Sequence, residues 1–85
     1  MIQDIKKLIG LPVKAEDGEH LGKLKDFQVE INSLRVVNLV VSHSLIGKND
    51  LLINPSQVVK ITEKEIIVKS GLVPIGGKVM DMAGI

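Results

Sequence analysis

The segment from Gly22 to Ser42 constrains the fold of this 85-residue chain more than any other. It contains two runs of strand-forming residues, separated by Ile31-Asn32-Ser33-Leu34. β-Branched and aromatic residues favour strands, and a short connection that contains Asn and Ser favours a tight turn. The segment therefore predicts the central hairpin of a small all-β domain.

The core of this domain must be aliphatic. Hydrophobic residues make up 45% of the chain, Phe27 is its one aromatic residue, and cysteine is absent. Disulfides and thiolate metal sites are thereby excluded. Ile, Leu and Val pack well on a pleated surface. A chain of this length is one domain at most, near the size at which a single core suffices.

The charges argue against several classes of partner. Eleven basic and ten acidic residues leave a net charge of +1, with the two signs interspersed. This balance attracts neither nucleic acid nor anionic lipid. No apolar run approaches the ~20 residues of a membrane helix, and no signal-peptide pattern is present. We therefore expect a soluble cytoplasmic protein with no membrane insertion and no direct contact with nucleic acid.

Shorter apolar segments flank the hairpin, with turn signals between them. Six short strands in this arrangement predict a closed or nearly closed antiparallel barrel. The flanking elements predicted are a helical lead-in of two turns or fewer before Gly10, a strand over Leu11–Ala15, a turn at Glu16-Asp17-Gly18, a strand over Leu51–Asn54, a turn at Asn54–Gln57, and a closing hairpin of Val58–Ile61 and Glu65–Lys69.

The first strand of the central hairpin changes phase near its beginning. Phe27, Val29 and Ile31 alternate with polar residues, as a half-buried strand does. Leu24 is out of phase with Phe27, so both side chains face inward only if one extra residue is accommodated around Lys25-Asp26. The sequence therefore predicts a β-bulge there, which also bends the strand for barrel closure.

The third strand is apolar on both faces, as strict alternation places Val37, Leu39 and Val41 on one and Val36 and Val40 on the other. The closing hairpin shows the same pattern, and residues 70–85 form an apolar, glycine-rich tail. Apolar patches of this kind mark interfaces, and a symmetric dimer is the commonest way to cover them. The predicted homodimer interface consists of Val36, Val40, Val58, Ile67, Leu72, Val73 and Ile75.

No constellation of residues indicates catalysis or a cofactor. His20 and His43 stand beside predicted turns without ligand partners at metal-site spacing. Neighbours on a strand point to opposite faces, so Ser42 and Ser44 are poorly placed to use His43. Glu16, Asp17 and Glu19 lack calcium-loop spacing, and Gly76-Gly77-Lys78 lacks the pattern of a phosphate loop. We expect no enzyme activity, no cofactor and no metal.

The motifs of the chain resemble the PRC-barrel family, and the resemblance spans roughly Ile5 to Lys69. It implies a six-stranded barrel over residues 1–69, followed by a tail over residues 70–85. The family usually has glycine where this chain has Leu34, so we expect Asn32 to supply the left-handed residue of that turn. The segments that carry the resemblance are Leu8-Ile9-Gly10-Leu11-Pro12-Val13, Glu16 to Asp26, Val36 to Val41, and Leu52-Ile53-Asn54-Pro55 before Val58-Val59-Lys60-Ile61.

The resemblance also implies a function in contact with other proteins. Short stand-alone archaeal members resemble cell-division factors that act with the membrane-anchor protein SepF and the tubulin-like FtsZ ring. This favours a homodimeric adaptor in cell division. The alternative is a RimM-like ribosome-maturation factor that binds a ribosomal protein, although that family carries a second domain. A small enzyme or metal protein ranks last.

Overall fold

The predicted central hairpin is present and forms the longest strand pair of the sheet. Strand β2 (His20–Glu30) pairs antiparallel with β3 (Arg35–Ser42), and residues 31–34 form the turn between them. Its register shifts between Leu24 and Asp26, which confirms the bulge predicted around Lys25. Leu24 is consequently 1% exposed, and Phe27 packs against the same core.

The structure is a computed structural model that describes residues 2–42, 50–75 and 78–81, with the backbone alone for 72–75 and 78–81. One short helix precedes the strands, as the spacing before Gly10 predicts. The remaining elements of the described residues are α1 (Ile5–Leu8), β1 (Pro12–Ala15), β4 (Asp50–Ile53), a 3₁₀ turn (Pro55–Gln57), β5 (Val58–Ile61), β6 (Ile66–Val68), β7 (Leu72–Ile75) and β8 (Lys78–Asp81).

The described strands form one sheet in the order β5-β6-β1-β2-β3-β4-β8-β7. The all-β class is confirmed, but two details differ from a closed antiparallel barrel. The β1–β6 and β4–β8 pairs are parallel, and no strand pairing among the described residues joins the two ends of the sheet. The 3₁₀ turn packs against β3 beside β5, so the sheet stays open between β5 and the central hairpin.

The core lies on one face of this curved sheet and is entirely aliphatic. Its buried members come from five different strands, so no short segment of the chain can form the core alone. The fully or almost fully buried members are Val13, Leu24, Leu39, Val41, Leu51, Ile53, Ile66 and Val68.

Two further bulges change which valines face this core. Val37 has no partner in the β2–β3 register, and Val59 has none in the β5–β6 register. Both are exposed, by 37% and 49%, whereas the preceding residues Val36 and Val58 pack against the core. The faces that strict alternation assigns to these valines are therefore wrong, because one inserted residue reverses the side-chain phase.

Gly22 marks the closest approach of the two hairpin strands. Its φ is +152°, and a Cβ built there would overlap the carbonyl oxygen of Ser42 and press on Val41. Only glycine fits this position, because the obstacle is backbone and has no other place to move. Gly18 also has positive φ, +94°, at the predicted Asp-Gly turn, but nothing lies within 4 Å of its virtual Cβ.

Replacing Gly22 should therefore cost much more than replacing Gly18. We expect Gly22→Ala to lower the free energy of unfolding by more than about 3 kcal/mol, since strain and overlap add. Gly18→Ala has the strain alone and should cost about 1 kcal/mol. Urea denaturation followed by circular dichroism measures both. Equal costs for the two variants would contradict the backbone overlap at Gly22.

The carboxylate of Glu30 organises the turn of the central hairpin. It accepts hydrogen bonds from the Asn32 N–H at 2.7 Å, the Ser33 N–H at 3.1 Å and the Ser33 hydroxyl at 3.2 Å. These bonds hold the pKa of Glu30 below its ordinary value of 4.5, with the Asn32 N–H as the largest cause. Leu34, and not Asn32 as expected, takes the left-handed conformation, at φ +57°.

A lowered carboxyl pKa ties the stability of the turn to pH. The unfolded state binds the proton more tightly, so the contribution is complete above the ordinary pKa of 4.5 and is lost as pH falls through the lower folded value. We expect Glu30→Gln to be less stable than the parent at pH 7, and the difference to shrink towards pH 3. Denaturation at both pH values measures this, and a difference independent of pH would contradict it.

Candidate functional site

An apolar groove lies where the sheet is open, between the central hairpin and β5. It encloses about 480 Å³ and is concave towards solvent. We call it the seam groove. Its lining consists of Phe27, Arg35, Val36, Leu39, Pro55, Val58 and Ile61.

Local backbone features bring the walls of the groove together. The bulges at Val37 and Val59 turn Val36 and Val58 towards the core side of the sheet. Pro55 is fixed by the 3₁₀ turn, where the Asn54 carbonyl side chain accepts from the Ser56 N–H at 2.9 Å. The side chain of Gln57, 8% exposed, accepts from the Asn54 N–H at 2.9 Å and completes the capping box. The two bulges and the capped 3₁₀ turn therefore position the residues that line the groove.

Arg35 is the one charged residue that lines the groove. It also borders an adjoining cavity of about 300 Å³, lined in addition by Val36, Val37, Asn54 and Pro55. The two salt bridges found among the described residues join Lys14 to Glu65 and Lys25 to Asp50, so neither involves Arg35. The exposed residue Arg35 thus lines both cavities without a salt bridge among the described residues.

The tip of the central hairpin is a second apolar surface. Ile31 and Leu34 are each 77% exposed, and Val29 and Val37 are each 37% exposed. A left-handed leucine costs about 1–2 kcal/mol relative to a relaxed conformation. Leu34 therefore combines an unfavourable backbone conformation with an exposed apolar side chain.

The residues predicted for a dimer interface lie in three places. Val36 and Val58 meet in the seam groove. Val40 is 9% exposed and lies on the face of β3 opposite Leu39 and Val41, whereas Ile67 is half-buried on the corresponding face of β6, with two strands between them. Leu72, Val73 and Ile75 lie on β7, whose side chains are outside the described residues. The interface itself stays a prediction.

The side chains considered as metal ligands or nucleophiles do not form a site within the described residues. His20 is exposed at the start of β2, whereas His43 and Ser44 lie outside the described residues. Asp17 accepts from the Glu19 N–H at 3.0 Å, so this acidic segment is a local turn. Within the described ranges, no three His, Cys, Asp or Glu side chains form a cluster suited to a metal ion. No helix in those ranges is long and apolar enough to cross a membrane.

The sequence does not predict the groove, although two of the residues that line it are distinctive in the sequence. Phe27 is the one aromatic residue of the chain, and Pro55 follows a strand that ends at Ile53. Neither indicates a groove by itself, because the cavity depends on how far β5 stays from the hairpin. That distance is a tertiary property, which the pattern of a single strand does not specify.

Comparison with known proteins agrees with this architecture. The PRC-barrel domain family matches residues 3–72, which includes all six strands from β1 to β6. Comparison with curated proteins gives no match. The family match covers most of the chain and includes every element that builds the seam groove. The chain belongs to the PRC-barrel domain family, whose members are protein-interaction modules.

Proposed function

We propose that this protein is a non-enzymatic adaptor that acts by protein–protein contact, as a homodimer in the cytoplasm. The observation that carries the proposal is the apolar surface on the central hairpin, where the seam groove and the exposed tip lie close together. Contiguous apolar surface on a small domain usually marks an interaction site. The family match supports the same conclusion.

The lining of the seam groove argues against catalysis there. It provides six apolar side chains and one guanidinium, and no carboxylate, imidazole, hydroxyl or thiol. General acid–base catalysis and covalent catalysis require one of those groups within hydrogen-bond reach of the substrate. An apolar concavity with a single fixed charge is instead typical of a binding site.

Within the adaptor class, we propose a role in archaeal-type cell division, linked to SepF and FtsZ. This part rests on the resemblance of the chain to short stand-alone archaeal members of the family. The alternative is a RimM-like role in which the domain binds a ribosomal protein. Both roles use an apolar surface to hold another protein, so the seam groove and the hairpin tip suit either.

The homodimer is tested by sedimentation velocity on the full chain. At concentrations on the order of tens of micromolar, we expect a species of about twice the 9.2 kDa mass of one chain. Ile67→Lys places a charge in the predicted interface and should yield a monomer. Val59→Lys introduces the same charge at an exposed valine outside that interface and should leave the dimer intact. A stable monomer of the parent chain would remove the homodimer.

The cellular role is tested by a crosslinked pull-down from the native cell with the tagged full chain. We expect the recovered proteins to include a division component, and recovery should fall when the tag alone is used. Co-sedimentation with small ribosomal subunits, together with recovery of a ribosomal protein and no division protein, would replace the division role with the RimM-like one.

A further inference from the structure

We propose that the seam groove binds a peptide segment of a partner protein in which an acidic residue is flanked by aliphatic residues. The inference rests on the proposed adaptor function, specifies which partner chemistry the adaptor recognises, and leaves Val40 and Ile67, which lie outside the groove, for the dimer contact. It follows from three properties: the apolar walls of the groove, the adjoining cavity that shares part of its lining, and the position of its one charge.

The walls select aliphatic side chains. Phe27, Val36, Leu39, Val58 and Ile61 are partly or fully buried against the core yet still line the open cavity of about 480 Å³. An apolar segment that enters this cavity removes further apolar surface from water on both partners. The walls of this cavity offer no side-chain hydrogen-bond partner other than Arg35, and the adjoining cavity adds only Asn54, whose side-chain oxygen already accepts from the Ser56 N–H. A polar segment would therefore lose its hydration without replacement.

A second cavity adjoins the seam groove, and Arg35 lines both. The cavity of about 480 Å³ and the adjoining cavity of about 300 Å³ share Arg35, Val36 and Pro55. A chain that follows both cavities must pass this shared border. Its apolar side chains then lie on either side of the guanidinium, which places the acidic residue between them.

Arg35 is available for a carboxylate of the partner. Its cross-strand neighbour is Glu30, but the Glu30 carboxylate is directed to the turn, where Asn32 and Ser33 donate to it. No salt bridge found among the described residues includes Arg35. A guanidinium pairs with a carboxylate through two parallel hydrogen bonds, and an apolar surround strengthens that pair relative to water.

The test selects a displayed random-peptide library on the immobilised full chain and measures the selected peptides in solution. We expect the enriched peptides to carry Asp or Glu between Leu, Ile or Val. Fluorescence anisotropy then compares each peptide with synthetic versions in which the acidic residue is replaced by its amide or by Lys. The amide version should bind about tenfold more weakly, and the Lys version more weakly still.

Variants at Arg35 test whether its charge contributes to peptide binding in the groove. Arg35 is exposed, so its replacement leaves the core intact. Arg35→Gln should weaken binding of the acidic peptide about tenfold. Lys23→Gln removes an exposed positive charge from β2 outside the groove and should change affinity less than about twofold. Arg35→Glu should reverse the preference, so that the Lys version binds better than the acidic one.

Amide chemical shifts locate the bound peptide. We expect the largest changes at Phe27, Val36 and Ile61, with little change at His20 on the far end of β2. Changes confined to another surface would overturn the assignment of the groove. Enrichment of peptides without acidic residues, or equal binding by the parent and by Arg35→Glu, would overturn the recognition of a carboxylate.

The same variants separate this inference from the adaptor function. If the pull-down recovers the same proteins with the parent and with Arg35→Glu, the proposal that the groove binds the partner is wrong. The adaptor role would then still stand. Dissociation of a parent dimer by Arg35→Glu would show that a second copy occupies the groove and would overturn the peptide proposal. Absence of any bound peptide, partner or dimer would remove both.

Discussion

One-residue bulges determine which side chains of this sheet face its core. Side chains alternate strictly along a strand, so an inserted residue reverses every later position. The bulges at Lys25, Val37 and Val59 each make that change, and the core contains Leu24, Val36 and Val58 as a result. Without them, a chain this rich in valine would present a different set of side chains to the interior. A bulge also bends its strand and increases the local twist, so the same insertions contribute to the curvature of the sheet.

The sequence predicted the secondary-structure elements of this fold better than it predicted which side chains of each strand face the core. The hairpin turn at residues 31–34, the Asp-Gly turn and the closing hairpin are all local, because turn chemistry and alternation specify them. The bulge at Lys25 was predictable because Leu24 and Phe27 are both large and out of phase. The bulges at Val37 and Val59 were not, because each is the second of two consecutive valines and either phase turns a valine towards the core. The parallel β1–β6 pair and the open seam depend on tertiary packing, which single-strand patterns do not contain.

At the candidate site, the conformation and exposure of some residues differ from what their residue types favour locally. A family position that usually holds glycine holds Leu34, in a left-handed conformation and largely exposed. A few angstroms along the same hairpin, Arg35 has an acidic neighbour across the strands that is engaged by the turn. Sequences in which every level agrees fold most readily, and functional sites are where disagreement is expected. In this chain, Leu34 and Arg35 both lie on the central hairpin, which lines the seam groove.

The parallel pairing of β1 with β6 has a consequence for how the chain folds. Val13 pairs with Ile66, 53 positions later, so β1 gains its second neighbour only after nearly all other strands exist. Contacts so distant in sequence slow folding, because a long loop must close before they form. On the ribosome, synthesis proceeds from the amino terminus, and the free edge of β1 stays unpaired until residues 66–68 have emerged. The nascent domain therefore completes its sheet late, and during that interval the outer edge of β1 is open to pairing with other chains.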